Sequence, residues 1–292
     1  MRSIFQKFIK NKNQINKEKY KKFIIPKIVN FREKIQTKEE ISFLHYGHLG
    51  DIINSLPVIK ELSLTKKCNL FIEKDKKIPN HVISNDHPSG GVFLKESSIN
   101  KLIPLLKQQS YLNRVEIFKD QIIDVDLNFF RELPLNFNID SVRWYSHLTG
   151  CFPNLSNNYL EVNENNKYKN YIVIMRSLRR QNKELDFAFL SAYKNLVFIG
   201  LKNEFNDLKN QVKNLEYHDS KDFLELASII KSSKFFIGNL SFGFAVAEAL
   251  KVPRLLESGP NFPLVYPNGD RGYDFYFQIH FEELVKKLNS LK

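Results

Sequence analysis

The chain has 292 residues, too many for one small core, and at about one domain per 100–200 residues it predicts two. Hydrophobic residues make up 42%, which excludes a disordered chain, and the net charge of +12 favours an anionic partner: nucleic acid, a membrane surface or a nucleotide-type substrate. Cys68 and Cys151 stand far apart and outside any CxxC, so neither a zinc site nor a disulfide framework is indicated, and a reducing cytoplasm is the simplest compartment.

Residues 1–40 read as a basic extension carrying Lys7, Lys10, Lys12, Lys17, Lys19, Lys21, Lys22, Lys27, Lys34 and Lys38. Ile4, Phe5, Phe8 and Ile9 share one helical face, opposite Arg2, Lys7 and Lys10. That pattern fits a helix docked on the body of the protein, with its lysines solvated, and equally a helix resting on an anionic membrane at its inner face. Pro26 is expected to separate it from a second helix around Val29 to Thr37. No apolar run approaches the ~20 residues that span a bilayer, and the N-terminus lacks the apolar stretch of a signal peptide.

A first domain is expected over residues 41–165. Ile41 to Tyr46 reads as a buried strand, followed by a glycine loop, Gly47 to Asp51, and a helix from Ile52 to Leu62. Asp51 at the helix start suits an N-terminal cap, which complements the helix dipole, and suits a general base that takes a proton from a hydroxyl. His45 and His48 lie near it, but the spacing matches no zinc pattern. Asn69 to Glu73 is the next strand. Pro79 to Gly91, with His81, Asn85, Asp86, His87, Pro88, Gly90 and Gly91, reads as a long polar loop. A helix over Ile99 to Leu106 and strands over Leu112 to Phe118 and Ile122 to Leu127 follow. Asp124 and Asp126 share one face of the last strand, fit either for a metal or for solvent. A Pro134-containing loop leads to a helix over Val142 to Leu148, with Trp144 expected in the core.

A polar linker, Asn163 to Lys169, precedes a second domain expected over residues 166–292. Tyr171 to Met175 is a strand, and Arg176, Arg179, Arg180 and Lys183 follow it directly. Cations at the end of a strand lie where open α/β folds bind ligands, and arginine forks match phosphate oxygens; a solvated surface run is the alternative. Asn195 to Gly200 and Leu215 to His218 are strands, with helices over Phe205 to Val212 and Phe223 to Ile230. Phe235 to Ile237 then forms a buried strand that Gly238 breaks. Asn239 and Ser241 are capping types, Gly243 permits close approach, and Phe244 to Leu250 reads as a helix that Pro253 stops. Strand, small-residue loop and helix together point free amides and a positive dipole end at an anion, so Gly238 to Gly243 is either a diphosphate cradle or an ordinary tight strand-to-helix turn. Arg254 to Glu257 is a strand, Gly259 to Pro263 a loop, and His280 to Leu291 a final amphipathic helix.

Three of these stretches, in order, resemble the heptosyltransferase family of GT-B glycosyltransferases. Residues 49–57, LGDIINSLP, are similar to its opening "GD…LP" loop and helix; residues 237–250, IGNLSFGFAVAEAL, to its "GxDSGxxHxAaAl" donor loop; and Gly259, Pro260 and Pro263 to its "GptdP". The resemblance implies an α/β fold of two Rossmann-like doubly wound domains facing a central cleft, with the basic extension outside the match. It implies inverting transfer from a nucleotide-diphosphate sugar to a hydroxyl of a glycan or lipid-linked acceptor, as in lipopolysaccharide synthesis. It places the catalytic base on Asp51, the diphosphate near Gly238, the ribose hydroxyls on Glu248, and a charge-balancing cation on one of Arg176, Arg179, Arg180 or Lys183. No cofactor beyond the donor substrate and no metal are implied. Asn239 replaces the family's aspartate and Phe244 its histidine, and the family's lysine–tryptophan–proline after Met175 is missing. These departures leave the donor sugar open and keep in play a protein that binds a nucleotide sugar or glycan without transferring it. Nucleic-acid binding has the charge in its favour but no recognition motif.

Overall fold

The computed structural model describes residues 17–18, 20–78, 89–133, 139–259 and 265–291. Two separate parallel sheets organise them. The first holds β1 (Glu40–His45), β2 (Lys67–Ile72), β3 (Arg114–Ile117) and β4 (Val125–Asp126) in the order β3-β2-β1-β4. The second holds β5 (Ile172–Met175), β6 (Leu196–Ile199), β7 (Glu216–His218), β8 (Phe235–Asn239), β9 (Arg254–Glu257) and β10 (Gly272–Phe275) in the order β10-β9-β8-β5-β6-β7. Every pairing within both sheets is parallel. The unbroken burial of β8 and β9 is what a strand covered on both faces requires.

Each sheet reverses its direction of growth once. In the first, β2 and β3 are added on one side of β1 and β4 on the other; in the second, β6 and β7 lie on one side of β5, with β8 to β10 on the other. Ligands in open α/β sheets collect at such switch points, outside the carboxyl ends of the strands. The chain leaving β1 enters helix α2 (Leu49–Leu62), and the chain leaving β8 enters α7 (Phe242–Leu250). These two helices pack together: a Cβ on Gly50 would lie 3.7 Å from Ala245 Cβ and 3.9 Å from Phe242 Cα. One apolar core therefore runs from Phe43 and Ile52 through Val246 to Val173 and Phe236.

The remaining helices are α1 (Ile25–Thr37), α3 (Glu96–Lys107), α4 (Ser141–Thr149), α5 (Lys202–Lys209), α6 (Phe223–Ser232) and α8 (Gln278–Asn289). Helix α1 docks through Phe31 and Ile35, and Phe31 meets Phe129 edge-on at 5.7 Å. Pro26 sits in its first turn instead of before it, where a missing N–H has no cost. The expected helix at Ile4 to Ile9 lies outside the described residues, as do His81 to Pro88, Pro134, Pro260 and Pro263. One further expectation changes. Asp124 is buried and bound by Lys38 Nζ at 2.5 Å and Ser42 N at 3.1 Å, so it faces neither a metal nor solvent. Between β5 and β6 the chain makes the short 3₁₀ turns Leu178–Arg180 and Ala188–Ala192. Strand β10 has no counterpart among the predicted elements.

Candidate active site

The turn between β1 and α2 is fixed from beneath by a buried chain of hydrogen bonds. Gly47 N donates to His45 Nδ1 at 3.0 Å, so that nitrogen carries no proton. His45 Nε2 is then the protonated one and donates to Tyr145 Oη at 3.1 Å, and Tyr145 Oη donates to Asp51 O at 2.9 Å. Burial lowers the His45 pKa to about 3, against the pull of Asp51, so the imidazole is a neutral prop and both nitrogens are committed. This excludes it as a metal ligand in this arrangement.

Asp51 occupies the first turn of α2. Its Oδ2 accepts from His48 N at 3.0 Å and from Arg131 Nη2 at 2.5 Å. Burial pushes its pKa up, but the Arg131 guanidinium, helped by the His48 amide, outweighs that effect and holds the carboxyl below its usual value. Asp51 is thus an ionised cap, and Oδ1 accepts no bond among the described residues. Arg131 reaches it from the turn after β4, across the first switch point, clasped between Phe93 and Phe130 at 5.1 and 4.9 Å from their ring centroids. Gly47 makes room for the pair, since a Cβ there would fall 2.9 Å from both Arg131 Nη2 and Asp51 Oδ2. His48 Nδ1 donates to Phe93 O at 2.9 Å, and its pKa is lowered by burial, with Arg131 and Arg179 acting in the same direction. Arg179 stands on the turn after β5, at the carboxyl end of the second sheet.

On the second sheet, Ser241 is the N-cap of α7, yet its hydroxyl donates to Asn239 O at 3.1 Å and makes no cap bond to the helix. The two glycines of this stretch serve packing. A Cβ on Gly238 would fall 2.6 Å from Phe236 Cε1 and 2.8 Å from Met175 O, and one on Gly243 would collide with Met175 Sδ. The close approach at Gly243 is made by the Met175 side chain. Asn239 is fully buried and clamps Ser177, accepting from its N–H at 2.9 Å and donating to its carbonyl at 2.7 Å.

The other five predicted residues are placed as follows. Arg176 is buried and donates to both oxygens of Glu257, at 2.6 and 2.8 Å, and to Asn182 O at 3.2 Å, so its charge is spent inside the sheet. Glu248 is 3% exposed and accepts from Lys251, from Arg254 Nε at 2.5 Å and from Asn268 N at 3.1 Å. That saturation corrects the ribose role: Glu248 anchors the far end of α7. Lys183 is exposed, and Arg179 and Arg180 are half-buried on the turn that Asn239 holds. Arg131, Tyr145, Ser177 and Glu257 escape sequence reading because each meets its partner across 62 to 94 residues.

No protein-family model and no curated protein matches the sequence. Solved structures do match. E. coli heptosyltransferase WaaC with ADP superposes with a TM-score of 0.59 at 11% identity, over 86% of this chain and all of that one (100%). The glycosyl transferase family 9 protein of Veillonella parvula gives 0.55 at 12% identity, over 87% of this chain and 90% of that one. The E. coli ADP-heptose lipopolysaccharide heptosyltransferase II gives 0.52 at 12%, over 86% and 98%. Across most of its length, the chain has the two-sheet GT-B architecture of the family 9 heptosyltransferases.

Proposed function

We propose that the protein is an inverting glycosyltransferase that moves a sugar from a nucleotide-diphosphate donor to a hydroxyl of a glycan or lipid-linked acceptor of the lipopolysaccharide type, in the cytoplasm. The observation that carries this reading is an ionised Asp51, with Oδ1 unengaged among the described residues, at the point where the first turns of α2 and α7 meet. Asp51 Oδ1 takes the proton of the acceptor hydroxyl, the hydroxyl oxygen attacks the anomeric carbon, and the bond from that carbon to the diphosphate oxygen breaks. The departing diphosphate lies against the first-turn amides of α7, around Asn239, Ser241 and Gly243, with Arg179, Arg180 and Lys183 supplying the countercharge. Preorganised donors of this kind act where charge develops in the transition state. Two matched structures are heptosyltransferases, one with ADP and one that uses ADP-heptose by its name, so ADP-linked sugars are the first donors to test.

The test is release of nucleoside diphosphate from a panel of ADP-, UDP- and GDP-sugars, by wild type and Asp51→Asn. Loss of the base is expected to lower turnover by roughly 10²–10⁴-fold while donor affinity is retained. Near-wild-type turnover in the variant removes Asp51 from the chemistry. One observation favours a second reading, binding without transfer: Arg131 already holds Asp51 at 2.5 Å. Donor binding with no turnover on any acceptor would select it.

A further inference from the structure

Helix α1 and the turn before it present an outward face that nothing in the described structure covers. Phe23 is 60% exposed, Val29 45% and Ile25 41%, although all three are large apolar side chains on a segment anchored by buried Ile24, Phe31 and Ile35. Ile25, Val29 and Arg32 follow one another at helical spacing along one face. Arg32 Nη2 donates to His147 O at 2.9 Å, and the His147 ring lies 6.0 Å from Phe152, which is itself 65% exposed. The outward face of α1 is thereby tied, through Arg32, to the segment after α4 that carries Phe152. Cations flank it: Lys17, Lys21, Lys22 and Arg32 are all exposed.

We infer that this ridge is a docking surface for an anionic phospholipid bilayer. Apolar side chains projecting from a lysine-rich helix suit the boundary between head groups and acyl chains, where their burial and the attraction of each cation to anionic lipid act together. No described helix is long and apolar enough to cross a membrane, so α1 lies on the surface. Phe31 packs on Phe129, and Phe129 opens the turn whose Arg131 holds Asp51. Under the function proposed above, the ridge delivers the enzyme to lipid-linked acceptors.

The experiment is co-sedimentation of the full chain with vesicles of phosphatidylcholine, with and without phosphatidylglycerol. Wild type is expected to pellet with the anionic vesicles alone and to be released by salt. Phe23→Ser/Val29→Ser/Phe152→Ser and, separately, Lys21→Glu/Lys22→Glu should each reduce partitioning roughly tenfold or more, with unchanged thermal melts because every site is exposed. If the triple variant melts early, the lysine pair decides. Variants that pellet like wild type, equal pelleting with both vesicle types, or retention on RNA without vesicle binding would overturn the inference. Nucleoside diphosphate binding, measured on the same samples by calorimetry, separates this outcome from the fate of the proposed reaction.

Discussion

The neutral state of His45 has a consequence that pH reveals. In the unfolded chain its imidazole titrates near 6.5, and in the fold at about 3, because burial disfavours the cation. Between those values the unfolded chain holds the extra proton. Stability therefore falls as pH drops from 6.5 towards 3, at ~1.4 kcal/mol per pH unit for that one proton. Urea unfolding of His45→Gln should show a shallower loss between pH 6.5 and 5, above the range where carboxylates protonate, and an unchanged slope would deny His45 this part. Asn239 supports a second expectation. Ser177 offers it both an N–H and a carbonyl, and only an amide answers both. The aspartate that the resemblance expects here lacks the donor and would put a carboxylate beside the Ser177 carbonyl. Asn239→Asp should cost ~1–3 kcal/mol in urea unfolding, and should weaken nucleoside diphosphate binding as the turn carrying Arg179 relaxes. Equal stability of variant and wild type would show the clamp to be dispensable. Asp51 could be read from the sequence because a carboxylate in a helix's first turn is a local pattern. Its partners could not, because Arg131 and Tyr145 reach it only through the folding of β4 and α4.

At the scale of elements, strands were the most legible part, since β5, β6 and β8 are short, mainly apolar runs that the fold buries almost completely. β10 was not, because Gly272, Tyr273 and Asp274 are incompletely buried and its pairing with β9 lends it an order that its composition lacks. The cation run after β5 shows the same limit. Arg176 and Arg179 look alike in sequence, yet Glu257 at the end of β9 draws one inward while the other stays at the switch point. Gly238, inside β8, and Gly243, in α7, pointed to a special backbone, and the structure supplies a plainer reason: Met175, at the end of the neighbouring strand, together with the Phe236 ring at Gly238, fills the space a side chain would need. Gly238→Ala tests this directly. Its Cβ would meet Phe236 Cε1 at 2.6 Å and a backbone oxygen at 2.8 Å, and the oxygen cannot swing away as a side chain could. A loss of ~1–3 kcal/mol in chemical denaturation is expected. A neutral effect would mean that β5 and β8 separate easily at their carboxyl ends.

At the scale of the whole molecule, two sheets with separate hydrogen-bond ladders are joined by one apolar core, and the joint is the pairing of α2 with α7. The same two helices point their first turns at the candidate site, so the contact that unites the halves also sets the distance from Asp51 to the amides after Ser241. Gly50 lies in that contact. A methyl group there would meet Ala245 at an ordinary 3.7 Å, whereas a longer side chain would have to push the helices apart. Gly50→Ala should therefore be close to neutral or gain up to ~1 kcal/mol from its better helix propensity, while Gly50→Leu should lose stability and donor affinity together. The continuous core further implies that the halves unfold as one. Calorimetry of the wild type should show a single transition whose van't Hoff and calorimetric enthalpies agree, and Gly50→Leu, by loosening the joint, should split or broaden it. Two resolved transitions already present in the wild type would mean that the core through α2 and α7 is not energetically shared, and the site between them would then have to be assembled by the substrate.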